Sequence, residues 1–314
     1  MNNWYLKKSL AAALVSLGSL LVPVSSLHAA DFADVIVVVD ESSSMSGEHA
    51  WLPGMITNLE ASLFGAGVGD GADANRYALV GFGKSGTGIS GRLLGGFADT
   101  SAFGTAASSL VISGSTEDGY AGINFALDTL AGSFRSGAAL NVILVTDEDR
   151  DNTNATLTYS SIESRLSGYN SLLNVVVNNP FSGGSPLVGS ALGVSAGNFA
   201  YFADGAGGFT TSTPALVGNG SGTTETDYVD LAFDVGSGGA AWDLNLLRVG
   251  GQTAQSFTSA FVDIKVGEII RQVPNDGPTA VPEPSTYGLI GAAALFGAVL
   301  YRRRTSKKAD AVAV

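Results

Sequence analysis

The sequence predicts an α/β fold, a doubly wound, mostly parallel central sheet flanked by helices. Two observations carry that expectation. Asp34–Val39 and Leu140–Val145 are branched and, apart from Asp34 and Asn141, apolar, and read as strands buried on both faces. Between such runs lie segments whose apolar residues recur at helical spacing, so strand and helix alternate along the chain. A third observation points to a site. The two runs lead directly to Asp40 and to Thr146-Asp147, and ligands of open α/β sheets gather beyond the carboxyl ends of the strands.

Taken in order, the strand at residues 34–39 gives way to a polar loop over 40–47. A helix follows, with Leu52, Ile56, Leu59 and Leu63 on one stripe. After a Gly/Asp loop at 65–75, residues 76–82 form a second strand and 92–97 an edge strand. A short helix is expected over 101–110, a loop at 114–116, and an amphipathic helix over 118–130. The strand 140–145 is followed by a helix over 157–166 and a strand over 172–177. Residues 181–225, rich in Gly, Ser, Thr and Asn, read as an insertion or long loop. A helix over 227–233, a short strand over 241–244 and a last helix over 255–270 complete the domain. Its expected span is 31–272, with a Pro-containing linker at 273–284.

Both ends read as sorting devices. Residues 1–30 have the form of a secretory signal, with Lys7 and Lys8, an apolar stretch from Leu10 to Val22, and small residues at Ala29-Ala30. At the other end, Val281-Pro282-Glu283-Pro284-Ser285 precedes an apolar run from Tyr287 to Tyr301 and the basic residues Arg302, Arg303, Arg304, Lys307 and Lys308. The run is about 15 residues, against the ~20 that an independent span needs, and the basic cluster would stay on the cytoplasmic side. Over 282–308 this order closely resembles the PEP-CTERM sorting signal. The resemblance implies a Gram-negative exported protein, periplasmic, at the cell surface or extracellular. It also implies an exosortase-type processing enzyme as one partner, and transient or permanent membrane anchoring by the C-terminal helix.

Charge narrows the function. Of the 16 Lys and Arg, seven sit in the two tails, whereas Asp310 is the one acid beyond the apolar run. The region between holds 9 basic and 27 acidic residues, a net charge near −18, which argues against nucleic acid and suits cations. With no cysteine, disulfides, thiolate metal sites and cysteine nucleophiles are all excluded.

Asp40-Glu41-Ser42-Ser43-Ser44 places three oxygen-bearing side chains at alternate positions just after a buried strand, so Asp40, Ser42 and Ser44 can converge. A carboxylate with two hydroxyls is a hard oxygen set, favouring Mg²⁺ first, with Ca²⁺ and Mn²⁺ as the other ions of this type. Here the chain resembles the von Willebrand factor A family and its metal-ion-dependent adhesion site. Asp-x-Ser-x-Ser is matched by Asp40, Ser42 and Ser44. A Thr in a Gly-containing loop before a helix is matched by Thr116 in Gly114-Ser115-Thr116-Glu117-Asp118. An Asp closing a later apolar strand is matched by Asp147 in Leu144-Val145-Thr146-Asp147. The resemblance spans about residues 34–272. It implies that these five side chains hold a divalent cation, partly through water, and that a vacant position accepts an Asp or Glu carboxylate from a partner protein. Adhesion rather than catalysis is expected. The alternative is a structural matrix or exopolysaccharide-associated protein whose metal only stabilises the fold. Glu148 stands where the family commonly has Gly, and with Asp149 and Asp151 it reads as a solvated acidic loop.

Other signals carry less. Ala78–Ser85 matches a relaxed phosphate-loop pattern, but its first residues are themselves strand and Gly86–Gly91 cannot open a good helix. An aspartyl phosphatase would need a second Asp where Ser42 stands. His49 reads as an exposed first-turn residue, and no serine is placed for a triad with it. Trp51, Trp242 and Tyr120 read as packing residues.

Overall fold

β1 (Ala33–Asp40) is buried along its whole length, its apolar run Val35–Val39 lying between two helical layers with Asp34 and Asp40 at its ends. In this computed structural model the described residues are 30–84, 91–184 and 189–275. The sorting segment at 282–308, most of the linker and nearly all of the expected signal lie outside them. β1 pairs in parallel with β2 (Arg76–Phe82) on one side and β4 (Ala139–Val145) on the other. β4 pairs in parallel with β5 (Leu172–Val177), and β5 with β12 (Ala240–Asp243). This parallel core is extended at one edge by β3 (Arg92–Ala98), antiparallel to β2.

The stretch 181–225 is not one long loop. Its β8 (Gly193–Ser195), β9 (Ala200–Ala203) and β10 (Phe209–Ser212) add antiparallel strands beyond β12, giving a nine-stranded sheet among the described residues. β6 (Phe181–Gly183), β7 (Ser190–Ala191) and β11 (Ala215–Val217) form a separate small sheet. Strands this short, in a Gly- and Ser-rich stretch, leave little apolar alternation to read.

Helices cover both faces. Val35, Val37 and Val39 of β1 pack with α1 (Ser46–Gly65), α2 (Thr100–Ala107), α6 (Leu244–Arg248) and α7 (Gly251–Arg271). Ile36 and Val38 face α3 (Gly119–Leu130), α4 (Tyr159–Ser167) and α5 (Asp230–Asp234), the last led by a π-helical turn over Glu225–Val229. The strand expected at 241–244 ends one residue early, because the Asp243 carboxylate accepts from Asn245 N–H and caps α6. Among the described residues no helix is long and apolar enough to cross a membrane.

Asn141, the polar break in the β4 run, accepts from Lys265 Nζ (3.0 Å) and donates to Gln272 (2.7 Å). Lys265 is fully buried, and burial lowers its pKa even though Glu268 pairs with it at 2.8 Å. At the N-terminal end of β1, buried Asp34 is gripped by Arg76 and Arg135. The aromatic centre is Trp242, fully buried, stacked on Tyr201 at 5.4 Å and flanked by Phe257 and Phe261. Trp242→Ala is expected to cost about 3–5 kcal/mol. Urea unfolding should show a lower midpoint with an unchanged slope, and an unchanged midpoint would contradict this packing.

Candidate metal centre

Because β1 and β4 are parallel neighbours with Val39 opposite Val145, the chain leaves the sheet at Asp40 and at Thr146-Asp147 side by side. The turn after β1 is closed by Ser42 N–H donating to Asp40 Oδ1 (2.7 Å). The Ser42 and Ser44 hydroxyl oxygens lie 3.0 Å apart, and Ser44 donates to Asp147 Oδ1 at 2.9 Å. Thr146 donates to Asp40 Oδ2 at 3.1 Å. Asp40, Ser42 and Asp147 are buried, and Ser44 sits at the exposed rim.

Glu41, the residue between Asp40 and Ser42, ties the site to its surroundings. It is buried, receives Arg92 through Nε (2.8 Å) and Nη2 (2.5 Å), and accepts from Val111 N–H. Its carbonyl accepts from Ser113 and Gly114 N–H, which draws the 113–117 loop onto the site. Gly114 fits there only as glycine, since a Cβ would lie 1.8 Å from the Gly83 carbonyl oxygen. His49 is half-buried rather than exposed. Its Nε2 lies 2.7 Å from the Asp40 carbonyl, which makes Nε2 the protonated nitrogen.

The loop delivers Glu117 to the interior and leaves Thr116 exposed. The structure therefore gathers Asp40, Ser42, Ser44 and Asp147 and adds Glu117, while Thr116 is exposed, as Ser44 is, with its carbonyl and Asp40 Oδ1 both beside Gly83. Glu117 is held by its backbone: its N–H donates to Asp151 Oδ2 (2.7 Å), and Asp151 N–H donates to its carbonyl (3.0 Å). The next residue, Asp118, caps α3 and is fixed by Arg150 and Thr153. Asp151 of the acidic rim thus has a definite role in placing Glu117. The sequence pattern points to Thr116 and passes over Glu117, whose burial depends on how the loop packs.

Carboxylate oxygens of Asp40, Glu117 and Asp147 lie within 4.8 Å of one another. Glu117 Oε2 is buried with no hydrogen-bond partner among the described residues. Burial pushes the Asp40 carboxyl up from 3.8 to about 7, against the pull of the Ser42 N–H and Thr146 hydroxyl bonds, with the Asp147 charge adding to the rise. Burial likewise raises Glu117, reinforced by the charges of Asp40 and Glu148. Buried carboxylates crowded together need a counter-charge. An orphaned oxygen among carboxylates and hydroxyls suits a hard divalent cation, so the residues present fit such an ion.

Comparison with known proteins places a PEP-CTERM protein-sorting motif at residues 280–304. Comparison with curated proteins returned no match. Among solved structures, the chain is similar to the SpRpn10 VWA domain, at 16% identity and a TM-score of 0.36, covering 46% of this chain and 74% of that one. Proximal thread matrix protein 1 from the mussel byssus, with a zinc-occupied MIDAS motif, is 18% identical with a TM-score of 0.35. That likeness covers 48% of this chain and 37% of the byssus chain. The three N-terminal domains of the type V pili tip protein Mfa5 from Porphyromonas gingivalis are 19% identical with a TM-score of 0.29, covering 49% of this chain and 23% of that one.

The raised acids give a pH test. The folded state holds the Asp40 and Glu117 protons to higher pH than the unfolded chain does. Without a cation, their contribution to stability is present below about pH 4 and is lost as pH rises through about 7 for Asp40 and about 8 for Glu117. Melting in EDTA should therefore show a fall in Tm across that window, reduced by Asp40→Asn and by added Mg²⁺, which displaces the protons. Identical pH profiles for wild type and Asp40→Asn would contradict the buried-acid account.

Proposed function

We propose that this chain is an exported adhesion or protein-interaction module of the von Willebrand factor A type, working through a divalent cation. The observation that carries this is the buried Glu117 Oε2 left without a partner beside Asp40 and Asp147. Asp40, Asp147 and Glu117 would hold the ion, with the buried Ser42 and the exposed Ser44 as neutral oxygen donors and Thr116 close by on the surface. Mg²⁺ is the first choice, with Ca²⁺ and Mn²⁺ sharing the same oxygen chemistry. When bound, the ion supplies a Lewis-acidic position for an Asp or Glu carboxylate of a partner protein. The chain's own work is to fix the oxygens and bury them on one side while Ser44 opens the other to solvent. The site reads as one for binding rather than turnover, because the imidazole nearest to it, His49, is committed to the Asp40 carbonyl.

Export is supported by the sorting motif at 280–304 together with the signal-like residues 1–30. An exosortase-type enzyme would process the tail, outside the cytoplasmic membrane. One observation favours a second reading, a matrix protein whose cation only stabilises the fold. With Glu117 included, three carboxylates already exceed the charge of a divalent ion.

One experiment separates the two. Beads coated with the full chain should adhere to cell-surface material in Mg²⁺ and release in EDTA, and Asp40→Ala should abolish adhesion with the circular dichroism spectrum preserved. Adhesion unchanged in metal-free buffer would sink the adhesion reading. A Tm that rises with Mg²⁺ by mass action, without cation-dependent adhesion, would favour the matrix reading.

A further inference from the structure

Arg248 closes α6, and its guanidinium lies against the outer edge of the acidic cluster. Nη2 donates to Asp147 Oδ2 at 2.8 Å and to the Ser44 carbonyl at 3.1 Å, and Nε donates to Glu48 Oε1 at 2.5 Å. Glu48, in the first turn of α1, is 1% exposed. The guanidinium is thus fixed in place by two carboxylates and a carbonyl, all belonging to elements that build the centre. Arginine carries five N–H donors in a rigid fork, and among the described residues none accepts from Nη1. A third of the side chain is exposed (33%). Beside it opens a cavity of about 350 Å³, lined by Ser44, Ser46, Glu48, Trp51, Leu247 and Arg248.

Charge gives this placement a consequence. Three carboxylates around a divalent ion leave the centre net negative, which by itself would repel an acidic partner. A guanidinium shared between Asp147 and Glu48 offsets part of that negative charge and presents planar, oxyanion-matching donors at the edge of the cluster.

We infer that Arg248 is the residue that makes this centre select a carboxylate. Its outward N–H groups take one oxygen of an acidic side chain whose other oxygen meets the cation, and the cavity receives the rest of that side chain. A neutral hydroxyl of a saccharide can accept from the guanidinium but lacks the opposite charge and the two-oxygen match, and binds more weakly. This inference rests on the cation-dependent reading above and specifies its ligand.

The test uses the full chain loaded with Mn²⁺. Acetate is the probe and ethylene glycol the neutral comparison, both followed by carbon-13 relaxation enhancement, with Mn²⁺ affinity measured by calorimetry. The wild type should bind acetate in preference to the glycol. Arg248→Gln should keep Mn²⁺ affinity within about threefold while losing about tenfold or more in acetate affinity. Arg248→Lys keeps the charge pair with Glu48 and so guards against misfolding. It should fall between the two, since an ammonium lacks the fork. Acetate binding by Arg248→Gln equal to wild type overturns the inference. So does loss of Mn²⁺ in step with acetate in both variants, which would make Arg248 only a support for Asp147. Failure of the Mn²⁺-loaded wild type to bind acetate overturns the carboxylate-accepting reading itself, and shows before any Arg248 variant is compared.

Discussion

Packing three carboxylates into one buried spot is the constraint around which the upper end of this molecule is arranged. Desolvation makes such a cluster unfavourable unless protons or a cation answer its charge, and each surrounding feature either positions an acid or limits its repulsion. Parallel pairing of β1 with β4 brings Asp40 and Asp147 together. Glu41, bound to Arg92, anchors the loop that carries Glu117. Asp151 and the Arg150–Asp118 pair hold that loop from the far side. These bonds are mostly backbone contacts or charged pairs with low exposure, so the oxygens are placed by the scaffold before any ion arrives. That is what pre-organised binding requires.

Much of this was legible from residue pattern, and the reasons differ by element. The apolar runs at Val35–Val39 and Val142–Val145 have one reading because buried parallel strands need continuous apolar chain. The convergence of Asp40, Ser42, Ser44 and Asp147 followed from two strand ends. Glu117 was hidden, since adjacent polar residues in a loop carry no periodicity, and its burial depends on a loop packed so closely that residue 114 must be glycine. Arg248 was hidden for a related reason. It lies 101 residues from Asp147 in the chain, and only the packing of α6 against α1 brings the pair together.

Asn141 and Lys265 show the same limit inside the core. A polar residue in an apolar strand and a lysine on a buried helix face both look like defects in one-dimensional pattern. In space each answers the other, with Glu268, Asn174 and Gln272 completing the network between α7 and the sheet. Such a buried ionic pair adds little net stability beside an apolar alternative, but either partner alone is costly to leave unpaired.

The antiparallel strands beyond β12 change how the sheet ends. A parallel core cut off at β12 would present a flat row of unpaired amide groups, the kind of border along which separate chains fuse into fibrils. Here the border is the four-residue β10, joined to β9 through a tight turn in which Asp204 accepts from Ala206 and Gly208 N–H. So short a margin offers little template to a second molecule. At this edge, copies crowded on one surface would touch through side chains and ions rather than merge backbone to backbone.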